Sequence, residues 1–248
     1  MHLDRLISIL ETVSMSGGTA TASDICAATG YPKPSVYRLL QDLQKSGLLE
    51  SPEKGAFRIG RRLHRISQLD RSDAEINVLV QPLLAEFADK YGAACFLARQ
   101  RGHGVEISQV EVPRSGAVSF LHPGLGLRPM HACSCSKVIA AYGNEALRRE
   151  AAEGHLKQFT EHTHTDAEAL LDEFRKIQEK GYGECVEELE LGICSVAAPV
   201  RLPEAGVSMS VGVTGSLRVF TETFRRQVGP ALIGLAQDVE ERLTAKDP

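Results

Sequence analysis

The sequence predicts an α+β chain: an N-terminal winged helix-turn-helix module, a linker helix and a larger C-terminal domain. Three observations carry this reading. Residues 1–60 hold three helical patterns and then two short extended runs around a Pro- and Gly-containing turn, which is the element order of a winged helix. Residues 61–72 continue as a linker helix, and residues 73–248 alternate helical and extended patterns. The net charge of −4 also divides unevenly, with 9 Lys and Arg against 6 Asp and Glu in residues 1–65 and 19 against 26 in the remainder. A basic piece joined to an acidic one is the electrostatic footprint of a small nucleic-acid reader on a larger module.

Leu3, Leu6, Ile7, Leu10 and Val13 make a helical stripe that ends at Gly17-Gly18. Thr21-Ala22-Ser23-Asp24 has the spacing of an N-cap with an acidic residue at N3, opening a short helix to Gly30. Pro32 and Pro34 fix the approach to a third helix, because proline pre-sets φ and is tolerated in a first helical turn. In that helix Val36, Leu39, Leu40 and Leu43 share one face at about 100° per residue. Pro34, Arg38, Gln41 and Lys45 take the opposite face, flanked by Ser35 and Tyr37. This face offers a guanidinium, an amide and an ammonium to phosphates and base edges. The solvated side of an ordinary helix would carry similar residues, and the surrounding element order is what favours a reader. After Gly47, the runs Leu48–Glu50 and Ala56–Ile59 form the wing, with Arg58 on or beside it. The candidate DNA contacts are Thr21, Ser23, Lys33, Pro34, Ser35, Tyr37, Arg38, Gln41, Lys45, Arg58 and Arg61. Arg61 opens a basic run through Arg65 that reads either as a phosphate contact or as a solvated linker.

The linker helix should reach about Leu69 and break near Asp70–Asp73. A helix with Ile76, Leu79, Val80, Leu83, Leu84 and Phe87 apolar then runs to Lys90 and stops at Gly92, with Pro82 a candidate kink. Strands are expected at Ala94–Arg99 and Val105–Val110, turning at Arg101-Gly102-His103-Gly104. Helices follow at Lys137–Tyr142 and Glu145–Ala152. Thr165-Asp166-Ala167-Glu168 reads as a capping box for a helix ending at Gly181. Strands near Tyr182–Glu187, Ile193–Arg201 and Val207–Thr214 precede a final helix from Glu222 to Leu243.

At 248 residues and 43% hydrophobic content the chain can bury two cores. No apolar run approaches the length of a membrane span, and no signal peptide opens the chain. Six cysteines without a repeating frame are then expected to stay reduced, in the cytoplasm.

The whole chain resembles transcriptional regulators of the IclR family. The matching residues are Ser35-Val36-Tyr37-Arg38-Leu39-Leu40, Gly47-Leu48-Leu49 and Phe57-Arg58-Ile59-Gly60 in the N-terminal part. In the C-terminal part they are Arg128-Pro129-Met130-His131-Ala132, Lys137, Thr163, Thr165-Asp166, Gly181-Tyr182, Glu187-Glu188, Gly192 and Ala197-Ala198-Pro199-Val200. The resemblance implies a GAF-like effector-binding domain, an antiparallel sheet with packed helices. It also implies homodimers or homotetramers, and binding to double-stranded operator DNA controlled by a small organic or aromatic acid. No cofactor is implied. Carried over residue by residue, the effector pocket falls at Met130, Cys133, Ser134, Cys185, Ser195, Gly212 and Thr214, with Glu187 at its rim.

The chain departs from the family pattern at Cys133, where a hydroxyl is usual, and at Ser136, where a glycine is usual. Cys133 and Cys194 also suit plain core packing, since free cysteine is among the most buried residue types. Two other readings stay open. His131, Cys133 and Cys135, with His122, offer zinc-type ligands for a metal- or thiol-based sensor, although Cys-x-Cys is shorter than the usual zinc spacing. A cysteine nucleophile activated by His131 or His122 would make an enzyme, but no third orienting group follows from the sequence.

Overall fold

The computed structural model describes residues 2–70, 72–102, 104–114, 123–203 and 206–245. The expectations placed on His103 and His122 lie outside them. The chain divides into two compact units, Met1–Arg71 and Ser72–Pro248.

The first unit is built in the order α1 (His2–Met15), β1 (Ala20–Thr21), α2 (Ala22–Thr29), α3 (Lys33–Lys45), β2 (Leu49–Glu50), β3 (Ala56–Ile59) and α4 (Arg61–Asp70). Its core gathers Ile9, Val13, Ile25, Val36, Leu39, Leu40, Leu43, Leu49 and Phe57. Along α1 the buried line is Leu6, Ile9, Leu10 and Val13, the i, i+3, i+4, i+7 spacing of one helix face. The predicted stripe forms this helix, and within it Leu3 and Ile7 remain 67% and 45% exposed. Thr21 caps α2 as expected, accepting from Asp24 N at 3.2 Å while Asp24 accepts from Thr21 N at 2.8 Å. Gly30 ends α2 in the left-handed region at φ 69. β3 is the middle strand of a three-stranded sheet, pairing antiparallel with both β1 and β2. The two-residue β1 carries too short a pattern to read from sequence. At Gly60 any side chain would drive its Cβ to 2.9 Å from the Leu48 carbonyl carbon, so the turn from wing to α4 needs glycine.

The second unit runs α5 (Asp73–Tyr91), β4 (Ala94–Arg101), β5 (Gly104–Glu111), β6 (Gly126–Arg128), α6 (Ser134–Tyr142), α7 (Glu145–Glu153), α8 (Ala167–Lys180), β7 (Gly183–Val186), β8 (Ile193–Leu202), β9 (Gly206–Ser216) and α9 (Glu222–Thr244). The strands form one antiparallel sheet in the order β6-β5-β4-β9-β8-β7. Alternation along the strands separates two cores. Cys95, Leu97, Val196, Ala198, Val211 and Val213 pack with Ile76, Val80 and Leu84 of α5 and Val228, Leu232 and Val239 of α9. Phe96, Ala98, Ile107 and Ala197 face the other way, toward Val138 and Ile139 of α6 and Phe174 and Ile177 of α8.

α6 is buried along its length from Ser134 to Ala141. Its small side chains let it lie close to the sheet, and Ser134, Cys135 and Ser136 extend it one turn ahead of the expected start at Lys137. Such residues favour caps and turns in isolation, so burial decides their state. The cap of α8 is Asp166, which accepts from Ala169 N at 2.8 Å, rather than Thr165. α5 continues as one helix through Pro82, and Ser72 and Glu75 close a capping box at its start.

Candidate functional site

The outer face of α3 follows from its inner one. With Val36, Leu39, Leu40 and Leu43 buried, Lys33, Pro34, Tyr37, Arg38, Gln41 and Lys45 are left exposed and Ser35 half-buried. Tyr37 is 51% exposed and adds an aromatic ring to this face. Arg38, Gln41 and Lys45 have no hydrogen-bonded or ion-paired partner among the described residues. On the wing, Arg58 is paired with Glu50 at 3.1 Å, and Glu50 also accepts from Arg61 N at 3.2 Å. These contacts hold the Glu50 carboxyl below its ordinary value, the backbone hydrogen bond from Arg61 contributing most. The wing therefore presents a partly neutralised Arg58. Thr21 is exposed but its hydroxyl is engaged with Asp24 at 2.7 Å, and Ser23 is exposed beside it.

In the second unit a cavity of about 110 Å³ opens on the α6 side of the sheet. Its floor comes from strand register. Cys185 pairs with Ser195 across β7 and β8, and Ser195 with Thr214 across β8 and β9. One row of the sheet thus sets two hydroxyls and a thiol side by side, and all three residues line the cavity. Phe96, Ile107, Pro123, Leu189 and Ile193 supply apolar wall. Arg128 and Glu190 supply charge of each sign. Cys133, the N-cap of α6, completes the wall and gives that helix no side-chain cap hydrogen bond. Arg128 is anchored by donating to the Pro123 carbonyl and, at 2.6 Å, to the Gly124 carbonyl.

Of the eight residues expected to form this pocket, four line it: Cys133, Cys185, Ser195 and Thr214. Ser134 sits behind the wall, its hydroxyl 2.8 Å from that of Ser195. Met130 does not line this cavity and, half-buried, packs against the core between α6 and the sheet. Gly212 does not line it either. It lies one row away, opposite Ala197 and Phe96, and a Cβ there would come within 2.9 Å of the Phe96 ring. It seats the aromatic wall instead of lining the cavity.

Glu187 does not line the cavity either. It holds the turn that carries Leu189, Glu190 and Ile193, accepting from Gly192 N at 2.8 Å with its own backbone left-handed at φ 58. Thr160 and Thr163 donate to the Glu187 and Glu188 carbonyls, each at 2.6 Å. Inside the turn, the ammonium of fully buried Lys137 donates to both Glu188 oxygens at 2.6 and 2.9 Å. Burial opposes the Lys137 charge, but the carboxylates of Glu188 and Glu173 and the Cys185 sulfur outweigh it and raise its pKa. Arg128 and Glu190 were not singled out as pocket residues from sequence. Arg128 stood within the recognised motif, which was its available signal, and Glu190 had none.

The zinc and nucleophile readings both turn on His131. His131 Nε2 is 2.9 Å from the Lys157 carbonyl and its ring stacks on Phe159. Among the described residues no three His, Cys, Asp or Glu side chains converge as metal ligands.

A winged-helix reader joined to a helix-covered antiparallel sheet with an internal cavity defines a class of DNA-binding regulators. Comparison with known proteins makes the assignment specific. The family model for the bacterial transcriptional regulator IclR C-terminal part matches residues 69–241, and that for the IclR helix-turn-helix domain matches residues 2–53. The HTH-type transcriptional regulator KipR of Bacillus subtilis is 28% identical over 208 residues, covering 82% of this chain and 81% of its own. XynR of Escherichia coli is 28% identical over 215 residues, covering 86% and 84%. Among solved structures, an IclR homolog from Microbacterium hydrocarbonoxydans complexed with 4-hydroxybenzoate superposes with a TM-score of 0.62 at 23% identity, covering 99% of this chain and 100% of that one. The Thermotoga maritima IclR gives 0.63 at 20% identity, with 98% of each chain covered. This chain belongs to the IclR family of bacterial transcriptional regulators.

Proposed function

We propose that this regulator binds a palindromic operator as a homodimer or homotetramer and that a small organic or aromatic acid in the α6-side cavity controls that binding. The observation that carries the reading is the Cys185-Ser195-Thr214 row. It sets hydroxyl donors on the floor of a largely apolar cavity that also holds one guanidinium, Arg128. An aromatic or short aliphatic body suits the Phe96, Ile107 and Ile193 walls, and a carboxylate suits Arg128 and the α6 N-terminus. The 4-hydroxybenzoate in a relative of the same fold is a ligand of that chemistry. Arg38, Gln41 and Lys45 are the proposed base and phosphate contacts, with Tyr37, Lys33, Pro34 and Ser35 beside them. Thr21, Ser23, Arg58 and Arg61 border the duplex.

Exposed Leu3 and Ile7 on α1 and Ile66 on α4 offer apolar surface for pairing two copies. A symmetric pair requires half-sites about one helical turn apart. Control then requires an effector with different affinity for two arrangements of the oligomer. No described helix is long and apolar enough to cross a membrane. The cytoplasm is the compartment in which such a reader meets its DNA.

The test replaces Ser195 or Thr214 with leucine. Each variant should still bind operator while its response to a carboxylate hit from a thermal-shift screen is lost. Removing a donor from a buried partner costs about 1–3 kcal/mol. Wild-type response midpoints in both variants would move the effector site elsewhere.

A further inference from the structure

Cys133 and Cys135 bring their sulfur atoms to 3.4 Å of each other, although one residue separates them in sequence. The backbone explains this. Cys133 is extended at φ −138 and ψ 137, and α6 starts at the next residue, so the chain reverses and folds the second sulfur back on the first. Lys137 holds this first turn by donating its N–H to the Cys133 carbonyl at 2.9 Å. The two sulfurs differ in access. Cys133 lines the cavity, whereas Cys135 is wholly buried behind it. A disulfide needs the sulfurs about 2.0 Å apart, which small side-chain movements can supply.

We propose that Cys133 and Cys135 form a reversible dithiol–disulfide site that reacts with hydroperoxides admitted through the cavity. The Cys133 thiolate attacks one peroxide oxygen, the O–O bond breaks, and the other oxygen leaves as an alcohol, or as water from hydrogen peroxide, after taking up a proton. Cys133 is then a sulfenic acid. The Cys135 thiolate attacks that sulfur, the S–O bond breaks, and hydroxide leaves to become water with a second proton. Two thiols are oxidised by two electrons and one peroxide is reduced by two, so the step balances.

The other cavity cysteines, Cys185 and Cys194, have no sulfur contact of this kind among the described residues. The Cys185 thiol donates to the Ala132 carbonyl at 3.2 Å, and burial pushes its pKa up. Burial raises the Cys194 thiol as well. Within the pair, the hydrogen bond from Cys133 holds the Cys135 thiol below its ordinary value, and the same bond, together with burial, raises Cys133. Cys135 is therefore the sulfur that ionises first, and a proton passing across the 3.4 Å contact from Cys133 to Cys135 moves the thiolate to the cavity wall for the attack. The positive charge of Arg128 favours the thiolate on either.

Closing the bond would draw the Cys133 sulfur off the cavity wall and alter the space available to an effector. That consequence, unlike the thiol chemistry, rests on the proposed role of the cavity. The experiment exposes the reduced full-length protein to hydrogen peroxide and maps its peptides by mass spectrometry. The segment holding both cysteines should lose the mass of two hydrogens and regain it with dithiothreitol. Cys133→Ser and Cys135→Ser should each abolish that loss, while Cys185→Ser and Cys194→Ser keep it. A pair left reduced while Cys26 oxidises, or Cys133 driven to sulfinic acid with Cys135 still free, would overturn the proposal. A thermal shift with 4-hydroxybenzoate on both forms separates the two ideas. A stabilisation present in the reduced form and lost in the oxidised form supports both, and an equal stabilisation of the two overturns control of the cavity by the disulfide. Disulfide formation in a protein that no carboxylate stabilises sinks the effector reading and leaves the thiol site standing.

Discussion

The outer face of α3 keeps its polar groups in water, whereas the α6-side cavity ties its polar groups to one another. Arg38, Gln41 and Lys45 have no described partner, so a duplex has no internal bonds to displace there. Around the cavity, Ser134 meets Ser195, Thr214 donates to the Cys194 carbonyl at 3.1 Å, and Lys137 grips Glu188. A ligand entering that site must exchange existing bonds, which sharpens selection among small molecules. The reader is open and sequence-local; the cavity is recessed and assembled from distant strands. Substitutions in the two should therefore fail differently, the first losing affinity with the fold intact, the second losing stability or ligand response.

The largest effect is expected at Lys137. Lys137→Met leaves the buried Glu188 carboxylate unpaired, and breaking a buried pair from one side costs about 3–5 kcal/mol. Chemical denaturation should report this as a lowered midpoint for the C-terminal unit, and the double variant Lys137→Met with Glu188→Leu should recover much of it. Because the folded-state pKa of Lys137 is raised, its contribution is complete below the ordinary lysine value and is lost as pH rises through the raised value. Stability of the wild type falling between neutral pH and pH about 9 would speak against this pair as the cause.

Arg38→Ala comes next, with operator affinity reduced by about 1–3 kcal/mol if the guanidinium forks onto a base. Gel-shift titration at fixed salt reads it, and an unchanged midpoint would remove Arg38 from the interface. Thr21→Ala deletes a cap whose hydroxyl already serves Asp24, so the expected loss is about 1 kcal/mol of reader stability. A variant that kept its melting midpoint but lost operator affinity would show Thr21 acting on DNA rather than on α2. Smallest is Lys45→Ala, which should lower the slope of log affinity against log salt by about one. An unaltered slope would place Lys45 in solvent.

Most of the reader was legible because its information is local. The i, i+3, i+4 burial of Val36, Leu39, Leu40 and Leu43, the Thr21–Asp24 box and the Gly30 stop each depend on residues within one or two turns. Leu3 and Ile7 belong to the stripe of α1 yet stay exposed, because α1 carries apolar residues on more than one face. In such a helix the neighbouring elements decide which face turns inward. The sensor elements were also visible as patterns, apart from the three-residue β6 and the first turn of α6, whose composition argues against a helix until burial is counted.

Reading along the chain located most of the helices and strands, the exposed face of α3 and the family to which the chain belongs. Which residues share the cavity came from tertiary packing. Strand pairing brings Cys185, Ser195 and Thr214 into one row and puts Gly212 beneath Phe96 in the next. A helix repeats over a few residues of its own chain, so its faces can be read along the sequence. Neighbours across a sheet are set by register between segments far apart, and no local spacing records which residues will meet.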